Sequence, residues 1–179
     1  EEEEEEAKGS GGLPLRACFD LFSTPEKLSP EDVWYCGKCK DHVQATKTME
    51  LWSVPDVLVL HLKRFSYNRY SRDKLETEVD FPLDGFDLSE LVKGPSNSQG
   101  ELFDCVAVSN HMGSLGGGHY TASARNVEDG KWYKFNDSST SEMRPEAVNS
   151  GNVYLLVYVR VSQDKLHCKN TLARTRMFM

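Results

Sequence analysis

The sequence predicts an α+β fold built mainly on an antiparallel sheet, and three observations carry that prediction. Strand-like stretches recur through the second half, around residues 102–110, 119–125, 131–135 and 153–160, with apolar and polar positions alternating through 119–125. The connections between them are short, which favours antiparallel neighbours over parallel strands joined by crossovers. Helical spacing is confined to short stretches of the first half.

Taken in order, residues 1–12 are a glutamate run followed by Gly and Ser, and they are expected to form an acidic linker. Leu15, Cys18, Phe19 and Phe22 then recur at helical spacing, and Pro25 stops that short helix. After Cys39, the positions Val43, Ala45, Met49 and Leu51 alternate as in a strand. Residues 57–62 are a continuous apolar run after Pro55, expected to be a strand buried on both faces. Residues 66–78 turn polar and charged, as in an exposed loop or irregular hairpin. Asp87 stands where it would cap a short helix through Leu91 and Val92. Residues 94–100 are a turn-rich connector, and the strands named above follow it. The last of them, 153–160, is apolar on both faces and is expected in the interior of the sheet. Residues 161–179 lose the alternation and carry Lys165, Lys169, Arg174 and Arg176, a basic tail.

A chain of 179 residues, 39% hydrophobic, can bury one core. Its formal net charge of −7 is concentrated in Glu1 to Glu6, so the remainder is nearly neutral. That argues against a nucleic-acid partner, which needs a basic surface to displace counterions. No apolar run approaches the ~20 residues of a membrane span, and the acidic amino terminus lacks the apolar core of a secretory signal. Five cysteines, of which only Cys36 and Cys39 are close, do not form a disulfide framework. A reducing compartment, cytoplasmic or nuclear, is expected.

The chemistry concentrates around His119. Gly116, Gly117 and Gly118 precede it, and glycine lets another chain approach the backbone closely, here as a slot for a thin, glycine-containing substrate tail. Residues 126–130 supply a turn, Asp129-Gly130 being its strongest signal. A loop of those residues pairs Arg125 with Lys131 and sets His119 against Asp137 and Tyr120 against Asn136. Directly opposed residues have Cβ atoms about 4.5–5.5 Å apart, so an imidazole meets a carboxamide or carboxylate. Such a partner holds the ring in the tautomer whose other nitrogen takes a proton from a nucleophile.

A cysteine thiolate would complete that arrangement, but no cysteine is convincing. Cys105 sits in an apolar strand, Cys18 on the apolar stripe of a helix, and Cys168 in the basic tail. Cys36-Gly37-Lys38-Cys39 has the spacing at which two thiolates reach one tetrahedral zinc, with His42 as a possible third ligand. It is half a structural site. The same residues superficially resemble a thioredoxin active site, yet neither a buried strand precedes them nor a helix follows.

Several motifs in order resemble one family. Gly117-Gly118-His119-Tyr120-Thr121-Ala122, Trp132 to Asp137 and Ala107-Val108-Ser109-Asn110-His111 resemble the histidine box of the ubiquitin-specific proteases. Trp34-Tyr35-Cys36 through Leu60-His61-Leu62-Lys63-Arg64-Phe65-Ser66-Tyr67 resembles the second half of their zinc-bearing fingers and the strand that re-enters the palm, and Phe81-Pro82 and Leu88 continue the match. The resemblance implies a papain-like cysteine protease fold that binds ubiquitin and hydrolyses the bond after its carboxy-terminal Gly-Gly. It implies His119 as general base, Asn136 as its orienting partner, and Asp137 as a neighbour that supports the oxyanion or substitutes as orienter. Gly117, Gly118 and Tyr120 would line the substrate tail, and residues 66–75 and 110–118 would be the two loops flanking it. No cofactor takes part in catalysis, and a structural zinc on Cys36 and Cys39 requires an upstream cysteine pair.

The family's Gly-Asn-Thr-Cys box, its oxyanion donor and its first Cys-x-x-Cys precede the matched region and are absent. The thumb is therefore expected to be missing. Residues 13–160 are expected to be the carboxy-terminal part of the catalytic domain, with half of the fingers in 30–55 and the palm in 56–160. Residues 1–12 resemble the end of an acidic insertion that splits the domain in one subgroup. The expected partners are ubiquitin, ubiquitinated proteins and the missing amino-terminal half, with no nucleic acid and no membrane. The alternative is a non-catalytic ubiquitin-binding fragment or pseudoprotease.

Overall fold

The computed structural model describes residues 11–67, 72–95, 100–114 and 117–161. The acidic run, Gly116 and almost all of the basic tail lie outside the described residues. In chain order the elements are β1 (Leu13–Pro14), α1 (Leu15–Phe22), β2 (Glu26–Lys27), β3 (Trp34–Cys36), β4 (Asp41–Val43), β5 (Thr46–Lys47) and β6 (Val57–His61). There follow β7 (Phe65–Tyr67), β8 (Arg72–Lys74), β9 (Val79–Asp80), β10 (Phe86–Asp87), β11 (Leu102–Ser114), β12 (Gly117–Arg125), β13 (Trp132–Asn136), β14 (Ser139–Met143) and β15 (Val153–Arg160).

One sheet organises them. Its strands run β14-β13-β12-β11-β15-β6, with β10 added to the beginning of β11, and every pairing is antiparallel. The two faces of this sheet differ. Val108, Ser123, Trp132, Leu156 and Tyr158 are buried on one of them. α1 lays Leu15 and Phe19 into the same core, where Phe86, Leu88, Phe103 and Val148 complete it. Tyr158 is buried to its hydroxyl, which donates to the Pro82 carbonyl at 2.8 Å. The remaining strands form two-stranded pairs, β2 with β5, β3 with β4, β7 with β8, and the short parallel β1 with β9. Among the described residues no helix is long and apolar enough to cross a membrane.

Two buried arginines fix the ends of this sheet. Arg160 is bonded to Glu101 and Asp56 at 3.0 Å each, to the carbonyls of Val54 and Gly100, and lies over the Phe103 ring. Arg64 reaches the carbonyls of Val153, Leu75 and Thr77, which ties the β7–β8 hairpin to β15.

Several expectations are corrected here. The alternation through 43–51 does not make one strand: β4 ends at Val43, β5 is Thr46–Lys47, and Leu51 makes only an isolated bridge to Val92. β6 is not buried on both faces. It pairs with β15 alone at the edge of the sheet, and Val57 and Val59 are half exposed on one face while Leu58 and Leu60 pack inward on the other. Asp87 caps no helix. Its side chain accepts from the Ser89 amide at 2.9 Å, and 88–92 is a turn closed on the Leu88 carbonyl, too short for a helix beside β10. β14 was not anticipated, because Ser139-Thr140-Ser141 lacks any apolar alternation. The described residues within 110–118 belong to strands and not to a loop, since β11 extends to Ser114 and β12 begins at Gly117.

Candidate active site

His119 and Asn136 meet because of how one turn closes. The Asn126 side chain accepts from the Glu128 amide and the Asp129 side chain from the Lys131 amide, both at 2.9 Å. These bonds keep Lys131 in the loop, whose end is closed by Asn126 N–H donating to the Lys131 carbonyl. Arg125 therefore pairs with Trp132, not Lys131, and the register runs to Ala122 opposite Phe135. The expected pairing was one residue out. A one-residue slip exchanges the faces of a strand. Carried one pair further, the observed register sets Asn136 opposite Thr121, on the face that Thr121 shares with His119.

The geometry agrees with that face assignment. His119 Nε2 lies 2.5 Å from Asn136 Oδ1. An amide oxygen only accepts, so Nε2 is the donor, and in the neutral ring the free lone pair falls to Nδ1. Asp137 is less engaged: its carboxylate is 3.9 Å from Nε2 and 81% exposed. At φ 48° it begins the two-residue turn between β13 and β14, a conformation that aspartate tolerates better than most side chains. Met112 pairs across from His119 and is partly exposed. The His119 side chain itself is 44% exposed, which leaves the imidazole open to another group.

Tyr120 points to the opposite face. Its ring lies 4.7 Å from His111 and 6.2 Å from Tyr154, and Phe65 joins the same cluster. Gly117 is open, with nothing within 4 Å of a side chain placed there. Gly118 differs, because the space a side chain would take is filled by His111 and the Met112 carbonyl. Its missing side chain thus serves packing within the chain. His111 and Lys74, whose ammonium donates to the His111 carbonyl at 2.7 Å, are neighbours of the site that no sequence signal identified beyond the motif containing His111.

No described cysteine is placed as the nucleophile. Cys105 pairs with Tyr158, and Met112, the partner of His119, lies seven positions further along β11. At about 3.4 Å per residue that is roughly 24 Å. Burial pushes the Cys105 thiol up to about 12, so it stays protonated at neutral pH. Burial also raises Cys18, with Arg64 opposing. Cys168 lies outside the described residues.

Cys36 and Cys39 sit at the tip of the β3–β4 ribbon. The backbone N–H groups of Cys39 and Lys38, then the Cys39 side chain, pull the Cys36 thiol below its ordinary range. Lys40, at φ 56°, closes the tip with a 2.7 Å bond from its N–H to the Cys36 carbonyl. Such a knuckle suits a thiolate ligand. His42 does not join it: its ring lies 5.4 Å from Tyr35, and among the described residues no three metal-ligating side chains gather.

Comparison with known proteins gives these features a context. Residues 18–158 match the family described as ubiquitin carboxyl-terminal hydrolase. The chain is 55% identical over 148 residues to human ubiquitin carboxyl-terminal hydrolase 15, covering 83% of this chain and 15% of that protein. It is 49% identical over 160 residues to bovine ubiquitin carboxyl-terminal hydrolase 4, covering 89% of this chain and 16% of that protein. With Arabidopsis thaliana ubiquitin carboxyl-terminal hydrolase 10 the identity is 46% over 152 residues, 85% of this chain and 16% of that protein. The chain thus spans a small part of the curated relatives it matches. Among solved structures, a SAGA DUB module of Ubp8, Sgf11, Sus1 and Sgf73 bound to monoubiquitin matches with a TM-score of 0.71 at 29% identity, over 86% of this chain and 34% of that one. The module bound to ubiquitin aldehyde matches with a TM-score of 0.69 at 28% identity, over 86% and 34%.

Proposed function

Because the chain belongs to the ubiquitin carboxyl-terminal hydrolase family, we propose that it supplies the His–Asn part of a Cys-His-Asn triad that hydrolyses the bond after the carboxy-terminal glycine of ubiquitin. The observation that carries the proposal is the 2.5 Å contact between His119 Nε2 and Asn136 Oδ1, on solvent-accessible side chains at the end of the core-bearing sheet face. With Nε2 protonated and held, His119 Nδ1 takes the proton of a thiol supplied from outside the described residues. The thiolate attacks the glycine carbonyl, and the imidazolium returns the proton to the departing lysine amine. The resulting thioester is cleaved by water, which loses its proton to the same nitrogen. Asp137, nearby and solvated, assists the developing charge rather than orienting the ring.

Gly117, Gly118 and Tyr120 are proposed to border the substrate tail, Gly117 through its open backbone and Tyr120 through its exposed ring. Cys36 and Cys39 are proposed as two of four zinc ligands, the other two coming from another cysteine pair, and the metal holds the fingers rather than taking part in catalysis. The proposed partners are ubiquitin, ubiquitinated proteins and the nucleophile-bearing part of the domain, with no nucleic acid and no membrane, in the cytoplasm or nucleus. The second reading, a non-catalytic ubiquitin-binding module, is favoured by the absence of a placed thiolate among the described cysteines. Activity separates the two. Alone, the chain is expected not to cleave a fluorogenic ubiquitin conjugate. Combined with a nucleophile-bearing half it is expected to turn over, and His119→Ala is expected to abolish that turnover. Turnover that survives His119→Ala would refute the triad, and alkylation-sensitive cleavage by the chain alone would point to Cys105 or Cys168.

A further inference from the structure

We propose that His111 is a positioning residue for His119, acting through the backbone of Gly118; the inference rests on the reading of His119 as the general base. His111 lies on β11 opposite Tyr120 and is 4% exposed. Its ring occupies the face of the β11–β12 hairpin away from the His119 imidazole. Phe65 meets it edge-on at 5.4 Å, Tyr120 lies at 4.7 Å and Tyr154 at 6.0 Å. Lys74 holds its carbonyl.

Confined in this way, the ring fills the space beside Gly118 that a side chain would take. A side-chain carbon at Gly118 would lie 2.9 Å from the imidazole Cε1, closer still to Nε2, and 2.7 Å from the Met112 carbonyl. The neighbouring pair is equally close: Gly113, at φ 102°, would set a side-chain carbon 2.8 Å from the Gly117 carbonyl and 2.9 Å from the Gly118 Cα. A side chain at either glycine would therefore collide, and the ring already stands in contact with the Gly118 backbone. His119 is the next residue, so the path of Gly118 sets where its imidazole stands. A misplacement of about 1 Å at a reacting group can cost on the order of 10²-fold in rate.

The ring acts here by shape. Among the described residues its buried Nδ1 has no hydrogen-bond partner, and burial, then the Lys74 cation, lower its pKa and so favour the neutral ring. A flat apolar ring should therefore serve as well, because replacing a buried unsatisfied polar group by an apolar one of similar shape is neutral or stabilising.

The test is the imidazole nitrogen spectrum of His119 in the full chain, with backbone amide shifts reporting the fold. The wild-type chain is expected to show a single Nε2-protonated tautomer. His111→Phe should keep that signature with a melting temperature no lower than wild type. His111→Ala should lose it, giving mixed tautomers at His119 while the amides of β13 and β15 keep their shifts. Gly118→Ala, with His111 intact, should lose it as well. A folded His111→Ala chain with the wild-type His119 spectrum would overturn the proposal. So would a folded His111→Phe chain whose His119 tautomer is scrambled, which decides the matter even if the alanine variant fails to fold. Failure of the general-base reading appears separately, as turnover that survives His119→Ala in the reassembled domain.

Discussion

The β11–β12 hairpin and the β3–β4 ribbon are both antiparallel pairs that carry chemistry near one end, and they are held in opposite ways. The first lies inside the sheet, flanked by β15 and β13 and backed by Val108, Leu156 and Trp132, all 2% exposed or less. The second stands on three-residue strands whose Trp34 and Tyr35 are 67% and 53% exposed. A lone two-stranded ribbon is marginally stable in water. The difference teaches where each site gets its geometry. His119 and Asn136 inherit theirs from a hydrophobic core, whereas Cys36 and Cys39 have only a turn and two backbone amides.

The largest expected effect breaks the sheet that supports the first site. Arg160→Ala removes a buried guanidinium from Glu101, Asp56 and the carbonyls of Val54 and Gly100, and losing one partner of a buried pair costs about 3–5 kcal/mol. A urea melt should show that loss, and a shift under about 1 kcal/mol would mean that the network is not what anchors β15. A smaller effect comes from His111. Its folded pKa lies below the ordinary ~6.5 of the unfolded chain, so the unfolded state binds more protons as pH falls through that range. Stability should therefore be full above about pH 6.5 and decline below it, and His111→Phe should remove that decline while leaving the carboxylate transition at lower pH. The smallest effect belongs to the ribbon. In zinc-free buffer Cys36→Ser should change stability by no more than about 0.5 kcal/mol. Zinc added to the chain alone should be removed by dialysis against a chelator, and stoichiometric zinc surviving that dialysis would show a closed site and erase the contrast.

Much of this was legible in the sequence, and the limits have physical causes. α1 and β12 follow from periodicity, because burial on one face imprints itself on every third and fourth or every second residue, whereas β15 follows from its apolar run and the antiparallel sheet from its short connections. β14 was not legible, since its pairing with β13 is backbone hydrogen bonding under polar side chains. The edge position of β6 was hidden by its apolar run, which reports affinity for burial and not what covers it. The turn was found but its register missed by one, because the Asn126 and Asp129 side chains bind local backbone and draw Lys131 into the loop. That slip also decides which neighbour meets His119. The expected register favoured Asp137 as the opposed residue, and the family resemblance favoured Asn136.

Turnover therefore tests the central claim most directly, measured on a fluorogenic ubiquitin conjugate with the domain reassembled from this chain and a nucleophile-bearing half. The account predicts that Asn136→Ala lowers kcat far more than Asp137→Ala, by up to ~10⁴-fold where an orienting group is lost, with both variants retaining the wild-type melting temperature. An Asp137→Ala variant more damaged than Asn136→Ala would contradict it.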